Sequence, residues 1–103
     1  METFKSVEVS KAANIYFDGK VTSRVIKFTD GALKTLGVMM PGSFEFSTNQ
    51  HELMEITAGE VDVLLPGKNE WKTIRGGDSF EVPANKTFKV EVKSVVDYCC
   101  SYS

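Results

Sequence analysis

The sequence predicts an all-β domain in which short strands close into a barrel or sandwich. Apolar and polar residues alternate along several short segments, with Val61 and Val63 apolar in one of them and Phe88 and Val90 apolar in another. Alternation with a period of two is typical of strands that are buried on one face. Turn-forming dipeptides separate the segments at short intervals: Asp18-Gly19, Asp30-Gly31, Pro41-Gly42, Pro66-Gly67 and Gly76-Gly77. Short strands with such regular turns are typical of a sandwich or barrel.

The chain length of 103 residues fits one domain, and no linker or low-complexity segment interrupts it. We divide it into a loose lead, residues 1–13, and a barrel domain, residues 14–103. The lead is predicted to form at most one frayed helical turn, because its serines and β-branched residues have weak helix propensity. A domain this small buries roughly 60–65% of the surface of its unfolded chain. Association with a second copy would bury more, and we therefore expect a homodimer.

Composition and charge exclude several classes of function. Twelve basic and 14 acidic residues give a net charge of −2, and the basic residues are spread along the chain, which argues against nucleic-acid binding. No segment approaches the ~20 consecutive apolar residues that a membrane-spanning helix needs, so no membrane partner is expected. The first residues, Met1-Glu2-Thr3-Phe4, include no basic start and no apolar run. We therefore predict no signal peptide and a cytoplasmic location.

The two cysteines, Cys99 and Cys100, are neighbours in sequence. Consecutive strand residues point to opposite faces, so the two thiols do not readily form a disulfide with each other. We interpret them as structural thiols, at least one of them buried. A catalytic thiol would need a basic neighbour to lower its pKa, and the sequence places none beside them.

Two segments resemble the paired motifs of the cupin superfamily. In the first, Glu52 precedes Gly59 by seven residues, which is the cupin spacing for the acidic residue of the motif. In the second, Gly77 and Pro83 match the cupin pattern, and Asn85 stands where glycine is usual; asparagine tolerates the same left-handed backbone. The resemblance implies a double-stranded β-helix, the jelly-roll barrel of cupins.

The metal ligands of the cupin pattern are mostly missing from this sequence. Phe46, Thr48 and Phe88 stand at the positions where cupins have histidine, and only Glu52 of the ligand set remains. A transition metal requires about three protein ligands, so we predict no metal site. The single histidine, His51, is adjacent to Glu52 and should face the opposite way in a strand. We interpret His51 as a loop or surface residue, with a catalytic role as the alternative.

A closer resemblance covers residues 14–103. The blocks at 16–24, 35–42, 44–48, 52–56 with Gly59, 77–85 and 97–102 resemble, in order and spacing, the pyrimidine/purine nucleoside phosphorylase family of small bacterial cupins. His51 and Leu53 depart from that pattern. The resemblance implies an enzyme, a glycosyltransferase that cleaves purine and pyrimidine nucleosides with inorganic phosphate to free base and ribose 1-phosphate. It also implies broad base specificity and no metal or other cofactor.

Glu52 is the predicted catalytic residue. Cleavage of a glycosidic bond passes through an oxocarbenium-like state, and hydrogen bonds from the ribose hydroxyls to an inward-facing carboxylate would strengthen there. Burial in a mostly apolar cavity would raise the pKa of Glu52. The alternative is a solvent-facing glutamate at the start of a strand. Glu55 should face the opposite way from Glu52.

Aromatic and hydroxyl side chains complete the predicted substrate site. Phe46 and Phe88 should point into the cavity and stack on the base, which suits broad selectivity; the alternative is that they are only core. Further candidates near the base are Phe44, Phe80, Met39 and Tyr98. For phosphate, Ser47, Thr48 and nearby backbone amides are predicted to form an anion cradle. Lys20 or Arg24 could supply a positive charge.

Two other functions fit the same sequence. A metal-free barrel could be a non-enzymatic module that binds a small ligand, in which case no substrate would turn over. A different cupin activity, such as an isomerase or oxygenase, would require metal in the purified protein, which the missing histidines argue against.

Overall fold

The computed structural model describes residues 2–103, which form two antiparallel β-sheets and one short 3-10 turn, Phe17–Gly19. The strands are β1 (Glu8–Val9), β2 (Asn14–Tyr16), β3 (Val21–Lys27), β4 (Leu33–Met39), β5 (Gly42–Ser47), β6 (Glu52–Ala58), β7 (Glu60–Leu64), β8 (Lys72–Arg75), β9 (Ser79–Val82), β10 (Thr87–Val92) and β11 (Val96–Tyr102). Within this part of the chain, none of the helical structure has the length and apolar character needed to cross a membrane. The prediction of an all-β fold is confirmed.

The larger sheet has seven strands in the order β1-β3-β4-β11-β6-β9, with β2 paired to β3 beyond the end of β1. The smaller sheet has four strands in the order β5-β10-β7-β8. The chain crosses between the sheets several times, so each sheet combines strands that are distant in sequence. This is the arrangement of a jelly roll, in which two sheets face each other across a shared core.

The core lies between the two sheets and follows from the alternation seen in the sequence. Val61 and Val63 of β7 and Val90 and Val92 of β10 are buried, whereas Lys89 on β10 is exposed. Because consecutive strand residues face opposite ways, one face of each strand enters the core. The core also includes these buried side chains: Val21, Met39, Phe44, Met54, Ile56, Ile74, Phe80, Val82, Phe88, Val96, Tyr98 and Cys100.

Part of the segment that we predicted to be a loose lead is paired with the larger sheet. Glu8 pairs with Lys27 and Val9 with Ile26, and the Ser10 N–H donates to the Val25 carbonyl at 2.9 Å. Residue 1 lies outside the described residues. A strand of two residues is too short to show alternation, so the sequence pattern did not indicate this pairing.

Strand β11 determines which side chains meet inside the barrel. It lies between β4 and β6, and Tyr98 pairs with Gly37, Cys100 with Thr35, and Tyr102 with Glu52. Because β11 contributes alternate residues to the inner face, Tyr98, Cys100 and Tyr102 all point inward. The register therefore places side chains from three strands of the larger sheet, β4, β11 and β6, in one polar region of the interior.

Candidate active site

A partly open cavity of about 190 Å³ lies between the two sheets. It is smaller than the ~300–1,000 Å³ typical of small-molecule pockets. The residues that line it are Tyr16, Val21, Ser23, Thr35, Met39, Phe46, Ser47, Glu52, Met54, Phe88, Tyr98, Cys100 and Tyr102. The two sheets contribute unlike surfaces, a polar wall from the larger sheet and an aromatic wall from the smaller one.

The polar wall centres on Glu52 and Tyr102, which are directly opposite each other on β6 and β11. Cys100 is the diagonal neighbour of Glu52, and its thiol lies close enough to the Glu52 carboxyl and the Tyr102 hydroxyl to influence the pKa of each. The Tyr102 hydroxyl lies 3.2 Å from Oγ1 of Thr35 on β4. The four side chains form a continuous polar group across three strands.

Burial controls the ionisation of Glu52. Removal of the carboxyl from water raises its pKa above the ordinary value of 4.5, and this effect exceeds the opposing effects of the Cys100 thiol and of His51. None of the lining residues is a lysine, arginine or histidine. The carboxyl therefore meets no positive side chain inside the cavity to favour its charged form.

Three further ionisable groups of the polar wall, Tyr98, Cys100 and Tyr102, stay neutral. Burial raises the pKa of Tyr98 to about 12 and that of the Cys100 thiol to about 12. Burial also raises the pKa of Tyr102, although a hydrogen bond from Thr35 opposes the shift. Near neutral pH these groups act as uncharged hydrogen-bonding groups, and the thiol has little thiolate character.

Tyr98 reaches across β4 to β3. Its hydroxyl donates to the Thr22 carbonyl at 3.3 Å, and its ring lies over Gly37, where no Cβ obstructs it. Beside it, Oγ of Ser23 accepts a hydrogen bond from Nδ2 of Asn14 at 3.3 Å. Strands β2 and β3 therefore contribute a second polar region to the same wall.

The aromatic wall consists of Phe46 and Phe88, which are cross-strand partners on β5 and β10. Their ring centroids are 5.5 Å apart with an interplanar angle of 31°. Phe17 packs edge-on against Phe46 with centroids 5.6 Å apart. Phe17 and Asp18 both have positive φ, 52° and 56°, which is uncommon for residues other than glycine. This strained turn brings an aromatic side chain to the rim of the cavity.

The sequence matches the family model for pyrimidine/purine nucleoside phosphorylases over residues 11–102. The chain belongs to that family. A relative from Colwellia psychrerythraea, named pyrimidine/purine nucleoside phosphorylase, is 60% identical over 99% of this chain and 98% of its own length. A relative of the same name from Geotalea uraniireducens is also 60% identical with the same coverage. The resemblance stated from the sequence blocks is thereby confirmed.

Solved structures confirm the fold of this chain. A protein of unknown function from Acinetobacter sp. ADP1 superposes with a TM-score of 0.95 at 41% identity, covering 98% of both chains. An RmlC-like cupin from Shewanella frigidimarina superposes with a TM-score of 0.71 at 14% identity, covering 99% of this chain and 87% of its own. The prediction of a cupin-type barrel is confirmed.

Six of the residues predicted for the site line the cavity: Met39, Phe46, Ser47, Glu52, Phe88 and Tyr98. Thr48 and Phe80 do not line it. The Thr48 hydroxyl donates to the Pro83 carbonyl at 2.7 Å and accepts from the Lys86 N–H at 3.1 Å, so it connects two loops. Phe80 packs edge-on against Phe88, with centroids 6.0 Å apart, on the core side of the aromatic wall.

The structure does not bring the predicted cations to the cavity. Arg24 alternates with the inward-facing Ser23 on β3, and its Nε donates to the Lys11 carbonyl at 3.5 Å outside the barrel. Lys20 is exposed after the 3-10 turn, where its carbonyl accepts a hydrogen bond from the Met40 N–H. His51 also lies outside the cavity; its Nε2 pairs with the Glu81 carboxylate at 3.1 Å.

Sequence reasoning missed most of the polar wall. Tyr16, Ser23, Thr35, Cys100 and Tyr102 line the cavity but were not among the candidates. For Cys100 and Tyr102 an indication was available, because in a strand they share a face with Tyr98. For Ser23 and Thr35 no such indication was available, because only the strand order places β4 beside β11 and β3 beside β4.

No group of three or more histidine, cysteine, aspartate or glutamate side chains in residues 2–103 is arranged to hold a metal ion. Glu52 has tyrosine, cysteine and threonine as its neighbours within the cavity.

Proposed function

We propose that this protein is a nucleoside phosphorylase that cleaves purine and pyrimidine nucleosides with inorganic phosphate, giving free base and ribose 1-phosphate. The observation that carries the proposal is the pairing of an aromatic wall with a polar wall around one carboxyl group. A nucleoside has the same division, with an aromatic base at one end and a hydroxyl-rich sugar at the other. Membership of the pyrimidine/purine nucleoside phosphorylase family supports the same reaction.

The base is proposed to stack on Phe46 and Phe88. Stacking on an aromatic ring does not distinguish one base from another, because every base has a π-face. The aromatic wall has no charged side chain that would select one pattern of donors and acceptors on the base. This suits an enzyme that accepts both purines and pyrimidines. Met39 and Tyr98 complete the proposed pocket.

The ribose is proposed to face Glu52, the proposed catalytic residue. During the reaction the bond from the anomeric carbon to the base nitrogen breaks, and its electron pair leaves with the base. A phosphate oxygen bonds to the same carbon, and the base nitrogen gains a proton. Positive charge develops on the sugar between these events, and hydrogen bonds from the ribose hydroxyls to Glu52 would strengthen as it does.

We further propose that the enzyme needs no metal, acts in the cytoplasm and forms a homodimer. The exposed apolar residues Ile15 and Leu36, with 67% and 40% of their surface accessible, support pairing with a second copy. Light scattering at micromolar concentration tests the oligomeric state, and a single monomeric species would contradict the dimer.

The first test is base release from uridine, inosine and adenosine, with and without phosphate, in the presence of a chelator. We expect phosphate-dependent release that survives the chelator and is strongly reduced by Glu52→Gln. Glu45→Gln is the matched control, since Glu45 is exposed on the outside of the smaller sheet, 4.0 Å from Lys89. Nucleoside binding without turnover would instead favour a non-enzymatic ligand-binding module. Activity that the chelator abolishes would contradict metal independence.

A further inference from the structure

Phosphate poses an electrostatic problem for this cavity. Glu52 is the one carboxyl among the lining residues, and the raised pKa values of Tyr98, Cys100 and Tyr102 keep those three groups uncharged near neutral pH. The lining residues include no cation. An ionised carboxylate would repel a phosphate anion bound beside it, and in a partly buried site water screens that repulsion weakly. Phosphate must therefore find neutral donors, and the charge of Glu52 must be reduced.

The polar wall has neutral donors available. Thr35 and Tyr102 each carry one hydroxyl hydrogen, and a single hydrogen bond of 3.2 Å joins them, so one hydrogen of the pair is free to donate elsewhere. Oγ of Ser23 accepts from Asn14, and the Ser23 hydroxyl also interacts with that of Tyr98, whose hydrogen is given to the Thr22 carbonyl. These two hydroxyls therefore already have partners.

We propose that phosphate binds in this cavity through the Thr35–Tyr102 pair, together with one proton that it shares with Glu52, and without any lysine or arginine. The inference rests on the proposed function and assigns the binding of its second substrate. The shared proton has two equivalent positions. Either protonated Glu52 donates to hydrogenphosphate, or ionised Glu52 accepts from dihydrogenphosphate.

The proposed reaction conserves the two protons that phosphate and Glu52 hold together. A phosphate oxygen forms the bond to the anomeric carbon, the bond to the base nitrogen breaks, and one phosphate proton moves to the departing base. The proton shared with Glu52 remains in the site and neutralises the carboxylate beside the ribose 1-phosphate product. No reductant, oxidant or metal enters this balance.

No positive side chain faces Glu52 inside the cavity. The groups around it are Tyr98, Cys100 and Tyr102 on β11 and Tyr16 on β2, and its partner on β9, Val82, carries no charge. The Cys100 thiol and His51 oppose protonation of Glu52, and burial outweighs them. His51 is the adjacent residue, outside the cavity and paired with Glu81. The dominant effect on the Glu52 pKa is burial, which raises it. The surroundings therefore make protonation of Glu52 easier than in water.

Steady-state kinetics with separate KM values for phosphate and for nucleoside test the assignment. Because a hydrogen bond to a charged group contributes about 1.5–3 kcal/mol, we expect Thr35→Val to raise the phosphate KM about tenfold or more. The nucleoside KM should change much less. Tyr102→Phe keeps the ring and should behave like Thr35→Val, and Lys89→Ala is the control. A raised phosphate KM in Lys20→Ala or Arg24→Ala, with none in the hydroxyl variants, would overturn the proposal.

Sulfate tests the shared proton. Sulfate carries no proton near neutral pH, so it should compete with phosphate poorly at about pH 7.5 and better as the pH falls and Glu52 gains its proton. In Glu52→Gln the amide donates at every pH, so this dependence on pH should largely disappear. Sulfate that competes as well as phosphate at every pH in the wild type would contradict the shared proton.

Isothermal titration calorimetry separates this inference from the proposed function. It measures the binding of inorganic phosphate to the wild-type protein and to Thr35→Val. Phosphate binding that is lost in Thr35→Val supports the inference even if no nucleoside is cleaved. Phosphate-dependent cleavage with unchanged phosphate binding in Thr35→Val overturns the inference and leaves the proposed function standing.

Discussion

The Tyr98 hydroxyl lies 2.6 Å from the position that a Cβ atom would occupy on Gly37, its cross-strand partner on β4. The carbonyl oxygen of Thr22 is also in contact with that position. Only glycine leaves room there, so the identity of residue 37 decides whether Tyr98 can cross β4 and donate to β3. A position in the middle of a strand thus determines the shape of the cavity.

Gly37→Ala should therefore destabilise the protein and disturb the cavity. The added methyl group meets both a backbone oxygen and an aromatic ring, and overpacking of this kind costs about 1–3 kcal/mol. Urea denaturation measures the loss, and the nucleoside KM should rise because Tyr98 is displaced. Gly31→Ala is the control for the nucleoside KM, which it should leave unchanged, since a Cβ at Gly31 meets no atom within 4 Å and the substitution strains only the backbone, with φ of 88°. A Gly37→Ala variant as stable as the wild type would contradict this account.

The protonation of Glu52 should be visible in stability. Burial raises its pKa above 4.5 in the folded chain, so the folded state holds the proton more tightly than the unfolded state. The stability gained from the proton is complete below about pH 4.5 and is lost as the pH rises through the raised pKa. Glu52→Gln cannot lose a proton, so its melting temperature relative to the wild type should increase from about pH 4.5 upward and then level off. Thermal unfolding across this range measures the difference, which should be independent of pH in the control Glu45→Gln.

Phe46→Leu should weaken nucleoside binding more than it weakens the fold. Phe46 is only partly buried and lines the cavity. Stacking of a base on an aromatic side chain is worth about 1–3 kcal/mol, so the nucleoside KM should rise about tenfold or more. Phe28→Leu is the matched control, since Phe28 packs edge-on against Phe4 away from the cavity, with centroids 5.1 Å apart. An equal rise in KM in both variants would indicate a general loss of structure.

Thr48→Val should lower stability and leave phosphate binding intact. The substitution removes the hydroxyl that donates to the Pro83 carbonyl and accepts from the Lys86 N–H, and it leaves that part-buried N–H without its partner. The expected loss is about 1–3 kcal/mol in denaturant unfolding. Thr73→Val removes an exposed hydroxyl bonded to Asp62 and should cost much less. A raised phosphate KM in Thr48→Val would contradict this prediction and would support the role in phosphate binding that the sequence predicted for Thr48.

The placement of Arg24 shows where sequence reasoning stops. A basic residue near the start of the barrel was a reasonable candidate for binding phosphate. Its side chain nevertheless points outward, because Ser23 occupies the inward position next to it on β3. The alternation of strand residues predicts that Ser23 and Arg24 face opposite ways, but only the packed sheet shows which of them faces the cavity.

The sequence by itself determined the class of fold, the family and the absence of most cupin ligand residues, since alternation, turn dipeptides and spaced blocks are properties of neighbouring residues. It also indicated Glu52, Phe46 and Phe88 through their positions in the two motifs. Only the tertiary structure joined Thr35 to Tyr102, 67 residues apart, and placed Tyr102 opposite Glu52. Such contacts depend on the order and register of β4, β11 and β6, which are set by packing across the whole barrel and not by local sequence.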